Sequence, residues 1–141
     1  MSTQVPEALL QQLRDLRRGL LHLHKILLDQ ERADYEKARG PVSSGELLQL
    51  VINHEQFAWL HSISELIVEI DEMFDADEPM TLEQARLVFG QARMLLTPAE
   101  SGDVFQQRYH AALQHNPAAI VAHRELTLIL SKESPEQRSR S

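Results

Sequence analysis

Leu9, Leu13, Leu16, Leu20, Leu23 and Leu27 recur at spacings of 4, 3, 4, 3 and 4 residues. That period keeps all six on one side of an α-helix and commits the first quarter of the chain to a rod with a leucine seam. Leu10, Leu21 and Leu28 widen the seam into the broader stripe of a bundle helix. Pro6 is tolerated in a first helical turn, and Gly40-Pro41 is a stop signal. The bounded segment of about 34 residues gives a rod about 50 Å long.

A second long helix is expected from a cap at Ser43 or Ser44 to about Phe74. Its latter half repeats the seam through Leu60, Ile63, Ile67, Ile70 and Phe74. Its first half is apolar almost all round, with Leu47, Leu50, Val51, Ile52, Phe57 and Trp59, which places it centrally. So short a connection between two rods predicts an antiparallel hairpin. Shorter helices follow. Thr81 and Gln84 have the spacing of a capping box. Thr97-Pro98-Ala99-Glu100 repeats the start signal, with Gly102 as an interruption. Val104, Phe105, Tyr109 and Leu113 mark a further segment, and Asn116-Pro117 opens a last helix to about Leu130. The expected fold is all-α, an antiparallel long-helix hairpin completed by two or three shorter helices in the manner of a four-helix bundle. It forms a single domain over 6–130, with a flexible 1–5 and a disordered tail at 131–141. The short helices cover only part of a 50 Å hairpin, so self-association through the remainder, as a homodimer, is expected.

Composition narrows the chemistry. Aromatic residues make up 5% of the chain, and leucine dominates the apolar set, which suits helix packing better than a sandwich or barrel. Cysteine is absent, which removes disulfides, thiol nucleophiles and cysteine-ligated zinc or iron–sulfur sites. The first apolar stretch is interrupted by Arg14, Asp15, Arg17 and Arg18, unlike a secretion signal. No run approaches the roughly 18 apolar residues of a membrane span. The reading is a soluble, cytoplasmic protein without membrane association.

Charge is distributed unevenly. No lysine or arginine lies between Arg39 and Arg86, and Glu69, Asp71, Glu72, Asp75, Asp77 and Glu78 crowd into that interval in a chain of net charge -7. Such a surface favours cations or basic partners over nucleic-acid phosphate. Asp71, Glu72 and Asp75 also fall near a predicted helix C-terminus, where the macrodipole disfavours negative charge. A calcium loop beginning at Asp75 fails, because its sixth position is Met80 and its twelfth is Arg86 instead of glycine and glutamate. The tight basic cluster is Arg14, Arg17 and Arg18, which reads as a solvated helix face with no nucleic-acid role.

Seven histidines require a metal site to be considered. His54 and His61 share a face but lie about 10 Å apart along the axis, too far for one ion. Glu65 is one turn from His61, and the hairpin register sets His24 beside His61. His24, His61 and Glu65 therefore form a candidate ligand set for a transition metal, with His110 or His123 as a fourth group. Set against it is the reading in which His24 and His61 are core-edge rings bonded to each other, to Glu65 or to backbone. No Glu-x-x-His pair is present, and position 58 is alanine, so the H-E-x-x-H motif fails. Phosphate-cradling glycines and a nucleophile elbow are absent, and nothing pairs Ser62 or Ser64 with a base.

The run Phe57-Ala58-Trp59-Leu60 through Ser64-Glu65-Leu66-Ile67 to Ile70-Asp71-Glu72 resembles small helical bacterial proteins of uncharacterised function. The resemblance covers mainly residues 41–96 and implies an all-helical fold and a bacterial origin, with no activity and no functional residues. From the residues themselves, the leading expectation is a non-enzymatic interaction or regulatory module without a cofactor. It would offer Glu65, Glu69, Glu72, Asp75 and Asp77 to a basic protein partner. The alternative is a metal- or cofactor-binding bundle built on His24, His61 and Glu65.

Overall fold

The structure, a computed structural model, describes residues 5–132. These form seven helices and no strand: α1 (Glu7–Arg39), α2 (Ser44–Asn53), α3 (Glu55–Ala58), α4 (His61–Asp75), α5 (Leu82–Leu95), α6 (Val104–His115) and α7 (Pro117–Ser131). The all-α expectation holds. No helix among the described residues is long and apolar enough to cross a membrane. The flexible end and disordered tail expected at 1–5 and 131–141 fall mostly outside the described residues. Of what remains, Val5 is buried against the core and Ser131 closes α7.

α1 is the rod that the leucine spacing requires. It follows Pro6 and ends at Gly40, whose φ of 87° needs a residue without a Cβ and whose N–H donates to the Glu36 carbonyl at 2.8 Å. Leu13, Leu16, Leu20 and Leu23 are fully buried, and Leu9 and Leu27 nearly so. Two helices run antiparallel along this seam. α4 is registered by Arg17 on Asp71 and by His24 on Ser64. α7 is registered by Gln12, which donates to the Ile129 carbonyl at 2.8 Å, and by Asn116 on Gln30 near the other end.

α7 is the more intimate neighbour of α1. It buries Ala119, Ala122, Leu126 and Leu130, a stripe small enough at one end for close packing. Gly19 meets the leucine part of it: a Cβ at Gly19 would lie 2.6 Å from the Cδ2 of the fully buried Leu126. α5 adds Ala85, Val88, Phe89 and Ala92 to the same core. α6 adds Phe105 and Tyr109, which continue an aromatic row from Trp59 with ring centroids 5.4 and 5.5 Å apart.

The second rod is not one helix. The expected span of about 30 residues is divided among α2, α3 and α4, so the hairpin partner of α1 is the 15-residue α4. The break is at His54, which takes extended backbone angles (φ -89°, ψ 133°) and caps α3 by accepting the Gln56 N–H on Nδ1 at 3.1 Å. Phe57 and Trp59, both beyond the break, point about 200° apart on helical backbone and are buried against different neighbours. Phe57 sits against Tyr35 and His54, and Trp59 stacks on Phe105 while its indole N–H donates to Glu31 at 2.7 Å. α2 swings away from the core and packs mainly on α3. None of its residues is buried, the reverse of the central position expected for it.

The other start signals have different outcomes. The capping boxes at Ser43–Glu46 and Thr81–Gln84 form, and Asn116 caps α7. Thr97 starts nothing: its hydroxyl donates back to the Arg93 carbonyl at 2.7 Å. The box that opens α6 is Asp103 with Gln106, a spacing the sequence reading passed over.

Gly19 and Gly90 predict opposite responses to alanine. A Cβ at Gly90, inside α5, meets nothing within 4 Å, so Gly90→Ala should raise stability by about 1 kcal/mol through helix propensity. At Gly19 the same gain is outweighed by overpacking against Leu126, for a net loss of up to about 2 kcal/mol. Urea unfolding of both variants checks the pair, and a stabilised Gly19→Ala would show that the α1–α7 contact is loose.

Candidate functional site

The carboxylates concentrate where α4 ends and α5 begins. Glu65, Glu69 and Glu72 follow one another at i+4 and i+3 along α4 and so share a face. The chain then turns through Asp77 and Glu78, and Thr81 caps α5. The two helices and their connection enclose an open cleft of about 450 Å³. Its rim carries Glu69, Glu72 and Glu78, and its floor is formed by Met73, Pro79 and Leu87. Leu87 is 60% exposed, a large apolar residue in a position that α5 does not use for packing.

The expected site residues are only partly assembled here. Glu69 and Glu72 line the cleft, and Glu78, which the sequence reading did not select, completes its rim. Asp77 faces a second cavity of about 340 Å³ on the other side of the connection, beside Arg14 and Phe74. Glu65 lies a turn up α4, and Asp75 lines neither cavity; both are exposed. The apolar floor was not foreseen, although Leu87 stands outside the Ala85, Val88, Phe89 and Ala92 stripe and is detectable as the odd apolar residue.

Electrostatically the cleft is strongly negative. Glu65, Glu69, Glu72, Asp75, Asp77 and Glu78 make no ion pair among the described residues. No basic residue occupies the last turn of α4, so its C-terminal dipole adds to the negative potential. Asp71 is the exception, engaged by Arg17 through Nε and Nη2. Both side chains of that pair are about 40% exposed, which limits it to roughly 1 kcal/mol, yet it fixes the register of α4 on α1. The basic cluster is thereby accounted for within the chain. Arg14 contacts Glu7 at 3.3 Å and lies over the Phe74 ring, while Arg18 contacts Asp15 at 3.4 Å.

The histidine constellation takes another form. His24 Nε2 is 3.0 Å from Ser64 Oγ. His61 donates its Nε2–H to the Val51 carbonyl at 2.7 Å. That acceptor is within reach because the chain breaks at His54 and turns α2 back, a geometry that an unbroken second rod does not contain. Glu65 is on the exposed side of α4. His24, His61 and Glu65 therefore do not converge, and among the described residues no group of three or more histidine, aspartate and glutamate side chains is placed to hold a metal ion. His110 joins no such set, and His123 Nδ1 pairs with the Tyr109 hydroxyl at 2.7 Å. Burial, and then the neighbouring His61, lower the pKa of His24 below its usual 6.5. Burial alone does the same to His123 and pushes the Tyr109 phenol well up.

Comparison with known protein families, curated proteins and solved structures gave no match.

Burial of His24 and His123, which lowers both pKa values, makes stability depend on pH on the acid side. Their native pKa values lie below the unfolded value of about 6.5, so the unfolded chain binds more protons in that range. Stability should be complete above about pH 6.5 and decline as the pH falls through the native values. Thermal unfolding from about pH 7.5 to about pH 5 should show this decline, and His24→Gln and His123→Gln should each flatten it. A slope equal to that of the wild type in both variants would place the effect on other groups.

Proposed function

We propose that this chain is a non-enzymatic interaction module that docks a basic protein segment in the cleft between α4 and α5. The supporting observation is the pairing of an apolar floor (Met73, Pro79, Leu87) with a rim of three carboxylates that make no ion pair among the described residues. Lysine and arginine side chains suit such a surface, since their aliphatic stems lie on apolar groups while the charged head reaches carboxylate. Lysine and arginine are absent from 40–85, so nothing on α2, α3 or α4 competes with an incoming cation. Glu69 and Glu72 carry most of the interaction, with Glu78 at the mouth. Glu65, Asp75 and Asp77 extend the negative field that steers the partner in.

The test uses a synthetic amphipathic peptide of leucine and lysine, titrated by fluorescence anisotropy at low and at physiological salt. Wild type should bind it more tightly at low salt. Glu69→Lys/Glu72→Lys should weaken binding by about tenfold or more while helicity is retained, because neither side chain is buried. Equal affinity in the double variant would refute this function.

A further inference from the structure

We propose that the cavity between α1 and α6, closed on a third side by Trp59, binds a small diamino acid of the lysine type. The cavity holds about 210 Å³, below the roughly 300–1,000 Å³ of sites for drug-sized molecules, which suits a ligand of amino-acid size. It lies along the second half of α1, away from the Arg17–Asp71 pair that holds the end of α4 carrying the acidic cleft. Leu27, Glu31 and Asp34 follow one another at i+4 and i+3 and form one wall, and Arg108 and His115, two turns apart on α6, form the other. Carboxylates thus face a guanidinium across one cavity. Asp34 and Arg108 nonetheless make no ion pair with each other or with any other described residue.

Charge selects the ligand. Glu31 is fixed in the wall: its two oxygens accept from the Gln56 amide at 3.0 Å and from the Trp59 indole at 2.7 Å. Both donors are neutral groups, so the carboxylate is positioned without being offset by a cation. Asp34 accepts the Gln30 amide at 3.1 Å, again a neutral donor. The cavity therefore sets two carboxylates against one guanidinium, and the complement of that set is one carboxylate with two ammonium groups. The ligand carboxylate takes the planar fork of Arg108, with the His115 ring beside it. Its ammonium groups go to Asp34 and to Glu31, the latter next to the Trp59 ring, where a cation gains from the aromatic face. The aliphatic chain between them covers Leu27. An amino acid with an uncharged side chain leaves one carboxylate of the wall unmatched, and a simple diamine leaves Arg108 unmatched, so both are discriminated against.

Trp59 is the sole tryptophan of the chain, so its fluorescence reports on this cavity directly. L-Lysine titrated into the full chain at low salt should change that emission saturably, with a Kd below about 10 mM. L-Norleucine lacks the side-chain ammonium and cadaverine lacks the carboxylate, and each should bind about tenfold more weakly. That comparison uses the wild type alone and does not depend on a variant folding. Arg108→Gln should lower lysine affinity by about tenfold and leave cadaverine unchanged, whereas Asp34→Asn should weaken both. The two side chains are exposed, so helicity should be retained in each variant. Glu69→Lys/Glu72→Lys should leave lysine binding intact, which separates this cavity from the cleft. No saturable change by about 10 mM lysine, norleucine or cadaverine binding as tightly as lysine, or an unchanged lysine affinity in Arg108→Gln overturns the proposal.

Discussion

The leucine seam of α1 imposes a coverage problem that organises the other helices. A rod of 33 residues is about 50 Å long, more than twice the length of any other helix among the described residues. Each fully buried leucine contributes about 1.5–3 kcal/mol relative to exposure, so the seam has to be covered over its whole length. α4, from the middle of the chain, and α7, the last described helix, lie along it, and α5 and α6 close over them. The close approach at Gly19 is part of this solution. Without a Cβ at that position α7 can seat Leu126 against the rod, and a larger residue would hold the two helices apart.

His54 is where local signals and the tertiary solution part. Nothing in the residues around it breaks a helix: no proline or glycine lies between Gly45 and Pro79, and the apolar pattern runs on through it. The break turns α2 back, which brings the Val51 carbonyl to His61 and sets the His54 ring against Phe57, contacts that exist only in the folded chain. Periodicity reports which face of an element is apolar. It does not report that two large aromatics two residues apart will be buried in different directions. The same limit explains α2, whose apolar residues read as a central helix yet lie on the outside.

Where the chemistry was local, the sequence was sufficient. Gly40-Pro41, Ser43 with Glu46, Thr81 with Gln84 and Asn116-Pro117 each form the stop or cap that their spacing implies. Thr97 failed because its hydroxyl had a nearer acceptor in the preceding turn. Of the candidate site, the acidic character and the positions of Glu69 and Glu72 were legible. The contribution of Glu78 and the apolar floor were not, since they depend on how the connection between α4 and α5 folds back. Asp71 looked equivalent to its neighbours in sequence and differs only because Arg17, on another helix, reaches it. The histidines show the same dependence: His61 bonds to a carbonyl ten residues back that only a broken helix can bring to it.

The antiparallel lie of α7 on α1 has a consequence for how the chain is made. Gln12 reaches carbonyls at Ile129 and Lys132, so the seam is covered by the last of the described helices. Until α7 emerges, a nascent chain carries exposed leucines with their principal cover still missing. Closing them requires a loop of more than 100 residues, and such non-local closure is slow and prone to aggregation. The packing of α1 on α7 therefore closes late, and a ribosome stalled before residue 117 would display a leucine stripe without its principal cover.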